Sequence, residues 1–374
     1  MPIPERPLDV LHVSQPTEAG VARIVADLAA GQVRRGWRVG VACPSAGPLA
    51  RWVTTAGGTH LEWAATRAPG PRVVAEIRRL RRCVESFRPD VIHLHSAKAG
   101  LAGRLLLRGR KPCAFEPNSW SFEAVEGPVA AAARAWERRG GRWCDVVVCV
   151  SEAERRVGED AGIDARYRLV PNGIDLGVVT PASADDRAAA RSRLALPDEP
   201  TVVCVGRLSP QKGQDLLLDA WPRILRHVPD ARLYLVGDGP SRASLEERRV
   251  ERVTFAGHRT DVPDWLAAAD VVTMPSRWEG CSLAMLEALG RGRSVVAFDV
   301  SGAAEAIDGD AGEVLRPGDL DGLARSLTER LADPTRADDE GRAGRRRIEE
   351  RHDLRVTETA VAEIYAEVLA ARGL

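Results

Sequence analysis

The stretch PSRWEGCSLAMLEALGRG, residues 275–292, sets two glutamates, Glu279 and Glu287, either side of a cluster of small residues and an apolar run. The segment that leads into it, DVVTMPS (270–276), has the β-branched run of a buried strand. Strand, short loop and helix in succession make one α/β unit. A helix starting around Cys281 or Ser282 leaves the backbone N–H groups of Gly280, Cys281, Ser282 and Leu283 without intrahelical acceptors, and such a start attracts phosphate. Glu279 stands just before that start and would repel phosphate, so it is expected beside the pocket, facing neutral hydroxyls. Glu287 would then lie roughly 12 Å along the axis, at about 1.5 Å per residue. One carboxylate on each side of a diphosphate suits a sugar at one end and a ribose at the other. The spacing alone is weak, because surface helices often carry such pairs.

The same alternation runs along the chain. In the first half, VLHVS (10–14), RVGVAC (38–43), DVIHLH (90–95), CAFE (113–116), DVVVCVS (145–151) and RLVPNG (168–173) read as strands, with helices over 21–35, 72–87, 99–107 and 129–143. Residues 176–200 lose strand character and gain Pro, Asp and Ala, which reads as a connection carrying a short helix. The pattern then restarts with TVVCVG (201–206), RLYLVG (232–237), VTFAG (253–257), DVVTMPS (270–276) and SVVAFD (294–299). The expected architecture is α/β, two doubly wound Rossmann-like domains with a central cleft. The boundaries read as 1–178 and 179–355, followed by a terminal helix, 356–374, packing back toward the first domain. In such sheets ligands sit beyond the carboxyl ends of the strands.

After TVVCVG comes RLSPQKG, which places Arg207 at the strand end and Lys212 just before a helix near Gln214. Arg forks onto two phosphate oxygens and Lys supplies a point charge, so the loop suits a diphosphate. Of 53 basic residues only Lys98, Lys111 and Lys212 are lysines, so a lysine retained in this loop points to a need for its compact ammonium.

Composition narrows the class. With 374 residues, 44% hydrophobic and 28% charged, the chain suits two soluble globular domains, and no run is long and apolar enough for a membrane span. The opening MPIPERPLDVLHVS lacks the layout of an export signal, so the cytoplasm is the expected compartment. The seven cysteines are scattered, without a C-x-x-C pair, and read as small buried residues. Residues 1–180 hold 26 basic and 19 acidic side chains, the rest 27 and 34. A basic first half fits either an anionic acceptor or membrane surface, or an unevenly charged solvated one.

Together VGRLSPQKG, PSRWEGCSLAMLEALGRG, FAGHRTDVPDWLAAADVVTMPS and VPNGID resemble the family 4 retaining glycosyltransferases of GT-B fold, in the same order along the chain. The resemblance implies that Arg207 and Lys212 neutralise the nucleotide diphosphate, Glu279 holds hydroxyls of the transferred sugar and Glu287 holds the ribose. It places the loop Gly257 to Asp261, with Arg259 and Asp261, near the base. Gly20 matches the glycine of the family's first loop near the donor phosphates. Ala19 stands where the family usually has a second glycine. Asn118, in FEPNSWSFEAVEG, stands where the family has a histidine near the reacting centre. An amide cannot act as a general base but can hydrogen-bond a sugar hydroxyl. Retaining enzymes of this type are thought to use the departing phosphate oxygen as the base, so transfer remains open.

On the acceptor side, His95, Ser96 and Lys98 end a strand and open a small-residue helix, a place for an acceptor hydroxyl or phosphate, or for a capping or surface role. Trp120 and Phe122 read equally as a wall for a sugar ring or as packing. Arg155 and Arg156 read as a phosphate holder or a solvated basic helix. The segment PRVVAEIRRLRRCVESFRPD has Val74, Ile77, Leu80 and Val84 on one face and arginines at 78, 79, 81 and 82, which fits either peripheral contact with anionic lipid at the inner face of the plasma membrane or a helix covering a sheet.

No Asp-x-Asp pair ends a strand facing the cleft, so no metal and no cofactor are expected, and leaving-group charge falls to Arg207, Lys212 and the helix-start amides. The expected activity is transfer of a hexose or N-acetylhexosamine from a nucleotide-diphosphate sugar, with UDP preferred by family frequency, to a lipid-linked saccharide. A small natural-product acceptor and a catalytically silent nucleotide-sugar-binding protein are the alternatives. An inverting transferase, with His95 as base, and a phosphorylase are weaker fits. Nucleic-acid binding is disfavoured because the arginines are not interleaved with aromatics.

Overall fold

The structure is a computed structural model that describes residues 6–67 and 70–374. The chain divides into two compact units. The first comprises the residues up to Asn172 together with Leu354–Leu374, and the second is Gly173–Asp353.

In the first unit seven strands, β1 (Asp9–Ser14), β2 (Arg38–Cys43), β3 (Thr59–Glu62), β4 (Val91–His95), β5 (Cys113–Glu116), β6 (Val146–Cys149) and β7 (Tyr167–Leu169), form one sheet in the order β3-β2-β1-β4-β5-β6-β7. The pairings are parallel throughout. Strands covered on both faces read as nearly continuous apolar runs, which is why β1, β2, β4 and β6 were legible. β3, THLE, was not, because it is short, polar at both ends and lies at the sheet edge. The order reverses between β1 and β4, making the loops after those two strands the first unit's switch point.

The last helix, Leu354–Ala371, is part of this unit. It buries Val361, Ile364, Tyr365, Val368 and Leu369, and Tyr365 reaches His93 of β4 through a 2.8 Å hydrogen bond. Helix Ala19–Arg34 packs against it so closely at Gly31 that a Cβ there would lie 2.2 Å from the Glu358 carboxylate carbon.

The second unit holds β8 (Thr201–Val205), β9 (Arg232–Val236), β10 (Val253–Gly257), β11 (Val271–Met274), β12 (Ser294–Phe298) and β13 (Gly312–Leu315), in the order β10-β9-β8-β11-β12-β13. The doubly wound parallel arrangement expected from the sequence is present in both units. β13, GEVL, was missed because its Gly and Glu dilute a four-residue run. The segment 176–200 carries a short helix, as its composition suggests. Its helix, Ala184–Arg193, starts in a Ser183/Asp186 capping box and belongs to the second unit, with Arg187 and Arg191 pairing to Asp270 and Ala190 packing on Ala267 and Ala268. A face made of alanine and arginine salt bridges does not look apolar in the sequence. The first division falls after Asn172, six residues before the boundary read from composition, and the return comes at Leu354.

Candidate functional site

In the second unit the strand order reverses at β8 and β11, and the loops leaving these two neighbours carry the candidate donor residues. Arg207 follows β8 by two positions and is half-buried, with its carbonyl accepting from Gln214 Nε2 at 3.1 Å. A single 3-10 turn, Pro210–Lys212, then delivers Lys212, and Gly213 turns the chain into helix Gln214–Leu225 at φ 66°. A Cβ on Gly213 would lie 1.9 Å from the carbonyl oxygen of Pro275, so glycine lets the two switch-point loops touch. Further bonds join them: Gln211 Nε2 donates to the Trp278 carbonyl at 3.1 Å, Arg277 N to the Gln211 carbonyl at 2.8 Å and the Arg277 guanidinium to the Pro210 carbonyl at 2.8 Å, and Arg277 pairs with Asp215.

Lys212 reaches across to pair with Glu279, and Ser276 Oγ donates to the same carboxylate oxygen at 2.8 Å. The ammonium expected on a diphosphate and the carboxylate expected on sugar hydroxyls are thus adjacent, each neutralising the other. Ser276, the residue that completes this triad, escaped the sequence reading although it directly precedes the quoted loop. A small hollow over the triad is lined by Met274, Ser282, Met285 and Ser301.

The helix after the loop runs Leu283–Gly290, with Ser282 as its N-cap and no side-chain cap bond. Its start therefore lies one to two residues later than expected, and the Gly280 and Cys281 amides belong to the loop. The N–H groups of the first turn, beginning with Leu283, are the helix-start donors. Only the residues from Leu283 to Glu287 rise helically, about 6 Å at 1.5 Å per residue, so the 12 Å axial spacing between the two glutamates does not apply. Glu287 is half-buried. On the far side of β8, Arg259 after β10 forks onto Asp261 and lies 5.8 Å over the Trp265 ring.

In the first unit Ala19 opens helix Ala19–Arg34 at φ 60°, with Gly20 next to it. Ala19 occupies the left-handed region that favours glycine, which accounts for the glycine usual at that place in the family.

Several acceptor-side candidates are buried within the first unit. His95 is fully buried: its Nε2 lies 2.9 Å from His12 Nδ1, and its Nδ1 lies 3.5 Å from Glu116 Oε2. It lies on the same face of the sheet as His93, two residues before it, whose register partner is His12, and as its own register partner Glu116. Lys98 is also buried and pairs with Glu76 at 2.7 Å. Trp120 is a core residue, stacked on Phe122 at 5.9 Å and donating from Nε1 to the Glu154 carbonyl at 2.8 Å, so it is no wall for a sugar ring. Ser96 remains half-exposed at φ 69°. Helix Val73–Phe87 spends Leu80 and Val84 on the core, and of its expected lipid face Val74 alone is well exposed. Arg155 is tied to Glu152 and Glu159 on its own helix.

The cluster of His12, His93 and His95 has ring nitrogens close enough to hold a metal ion. His12 is nevertheless engaged at both nitrogens, by His95 and by Gln32 Oε1 at 2.9 Å, and the group reads as a hydrogen-bonded core. Burial pushes the His93 imidazole down to about 4. Burial also pushes the Glu116 carboxyl up, but His95 and His93 beside it outweigh this and hold it well below the usual carboxylate range. A cavity of about 520 Å³ opens past the ends of β2 and β3, lined by Pro44, Ser45, Glu62, Thr66, Arg72 and Arg79. It was not anticipated, since its walls come from loops without a motif.

Two doubly wound parallel units, with cations, a carboxylate and a helix start gathered at the switch point of the second, define the GT-B class of fold. Among solved structures, Anabaena Alr3699/HepE in complex with UDP and glucose matches with a TM-score of 0.83 at 22% identity, over 96% of this chain and 99% of that one, a likeness of fold. The chain belongs to Glycosyltransferase Family 4, whose model matches residues 19–178, while the Glycosyl transferases group 1 model matches residues 199–333. A GDP-mannose-dependent alpha-(1-6)-phosphatidylinositol monomannoside mannosyltransferase from Mycobacterium tuberculosis is 34% identical over 295 residues, 74% of this chain and 75% of that protein. The protein of the same name from Mycolicibacterium smegmatis is 38% identical over 234 residues, 58% of this chain and 60% of its own length. The match thus spans only about three fifths of that relative.

Proposed function

We propose that this protein transfers mannose from GDP-mannose to a hydroxyl of a lipid-linked glycoconjugate, with retention of configuration and without a metal ion. The observation that carries this is the convergence of Arg207, Lys212, Ser276, Glu279 and the Leu283 helix start at the β8/β11 switch point. As the sugar C1–O bond to phosphate breaks, charge grows on the diphosphate. Arg207, Lys212 and the helix-start amides are fixed positive groups that meet it. Glu279 exchanges its bond to Lys212 for sugar hydroxyls, which frees the ammonium for phosphate. The acceptor hydroxyl adds at C1 and its proton leaves on the departing phosphate oxygen. A guanine nucleotide takes precedence over the UDP expected from family frequency because both mannosyltransferases compared above are named as GDP-mannose-dependent. The exposed arginines 78, 81 and 82 of helix Val73–Phe87 suit an anionic membrane surface.

The test is incubation with GDP-mannose, UDP-glucose or UDP-galactose, in EDTA, against liposomes containing phosphatidylinositol mannoside or a polyprenyl-linked saccharide. Mannosylated phosphatidylinositol mannoside with an α-anomeric bond, made from GDP-mannose alone, is the expected product. Transfer from UDP-sugars only, or dependence on a divalent ion, would contradict the proposal.

A further inference from the structure

The loop after β5 carries two consecutive non-glycine residues in the left-handed region, Asn118 at φ 52° and Ser119 at φ 85°. Asn adopts this region more readily than most residues, whereas a serine beside it there is uncommon and is held by its surroundings. Here the surroundings are three acidic side chains. Glu116 Oε1 accepts from Asn118 Nδ2 at 2.7 Å, Glu154 Oε1 accepts from Ser119 N at 2.6 Å, and Glu123 Oε2 accepts from Trp120 N at 2.7 Å and from Ser119 Oγ at 3.1 Å. Behind it Glu116 is buried against two imidazoles, within ion-pair distance but without a hydrogen bond to either. Its other oxygen faces His93 Nε2 at 3.4 Å and His95 Nδ1 at 3.5 Å, and His93 is held by Tyr365 of the last helix.

A carboxylate only accepts, so Glu116 decides which way the Asn118 amide points. The NH₂ end is committed inward. The carbonyl oxygen Oδ1, on a half-buried side chain, is the end left to meet a ligand, and it can only accept. We infer that Glu116 is a positioning residue that locks Asn118 as a fixed hydrogen-bond acceptor for a hydroxyl of the sugar substrate. This inference rests on the transferase reading above. His95, buried and hydrogen-bonded to His12, lies beside that carboxylate and does not touch the acceptor.

Two measurements test it. The first is NMR of the Asn118 side-chain amide in the intact chain, assigned by its loss in Asn118→Ala. One NH₂ proton shifted downfield and slowed in exchange is expected. An amide exchanging like an exposed asparagine would overturn the inference, whether or not the protein transfers sugar, so a failed function and a failed positioning role are separable. The second is a double-mutant cycle on transfer rates with Glu116→Gln and Asn118→Ala. Gln can present either end of its amide, so Glu116→Gln is expected to lower kcat on the order of 10- to 100-fold with little change in KM for the donor. The same change made in Asn118→Ala is expected to cost less than about threefold, because the residue it acts through is gone. Equal losses in both backgrounds, or an unchanged kcat in Glu116→Gln, would show that Glu116 is merely structural.

Discussion

Arg207 and Lys212 are expected to supply most of the attraction for a nucleotide diphosphate. A hydrogen bond to a charged group is worth about 1.5–3 kcal/mol, so Arg207→Ala is expected to weaken GDP binding on the order of 10- to 100-fold by calorimetric titration. Glu279→Gln should act differently. It releases Lys212 from its partner, so GDP affinity is expected to hold or rise slightly while transfer falls. Glu154 gives a second test, of stability. Burial pushes its carboxyl up from 4.5 to about 8, despite the N–H bonds it accepts from Ser119 and Val150. The folded chain thus keeps a proton that the unfolded chain sheds, and the associated stability is lost as pH rises through about 8. Acid acts through His93, whose ordinary value of 6.5 is depressed to about 4, so its contribution is lost as pH falls across that window. Urea unfolding is therefore expected to show a decline between pH 6.5 and 8, with a slope of up to about 1.4 kcal/mol per pH unit, that is absent in Glu154→Gln.

Most strands and the Arg207–Lys212 loop were legible because a buried parallel strand writes an apolar run and a strand-to-helix loop writes charge and glycine. β3 and β13 were not, since a short edge strand carries too little apolar sequence to stand out. His95, Lys98 and Trp120 misled for a related reason. Residue type and position near a strand end say where a side chain starts, while sheet face decides whether it reaches solvent. His95 and its register partner Glu116 point into the core together. The Asn118–Ser119 turn left no glycine signal, because acidic side chains fix it from outside the loop. Gly213 is the opposite case, a glycine with a definite load. Gly213→Ala places a Cβ 1.9 Å from the Pro275 carbonyl oxygen at a positive φ, so the Lys212 turn must move away from the Glu279 loop. A loss of at least about 2 kcal/mol in unfolding and a weakened affinity for GDP are expected together.

The first unit is completed by the last residues of the chain. Helix Leu354–Ala371 buries six large side chains there, each worth about 1.5–3 kcal/mol, a sum comparable with the whole stability margin of a domain. Its polar ties run to Arg34, Arg168 and Asp145, through Glu358, Glu367 and Arg372. A chain ending at Asp353 is expected to lose hydrogen-exchange protection in β1 and β4 while residues 201–331 keep theirs. Protection lost evenly through both units would contradict that division. The proposed donor site lies in the second unit, and one measurement bears on it most directly: titration of the full chain with GDP and with UDP, in EDTA, repeated on Arg207→Ala. Micromolar binding of GDP, weaker binding of UDP and a loss of at least tenfold in the variant are expected. No binding of either nucleotide, or binding that Arg207→Ala leaves unchanged, would contradict the assignment of the β8/β11 switch point as the nucleotide-sugar site.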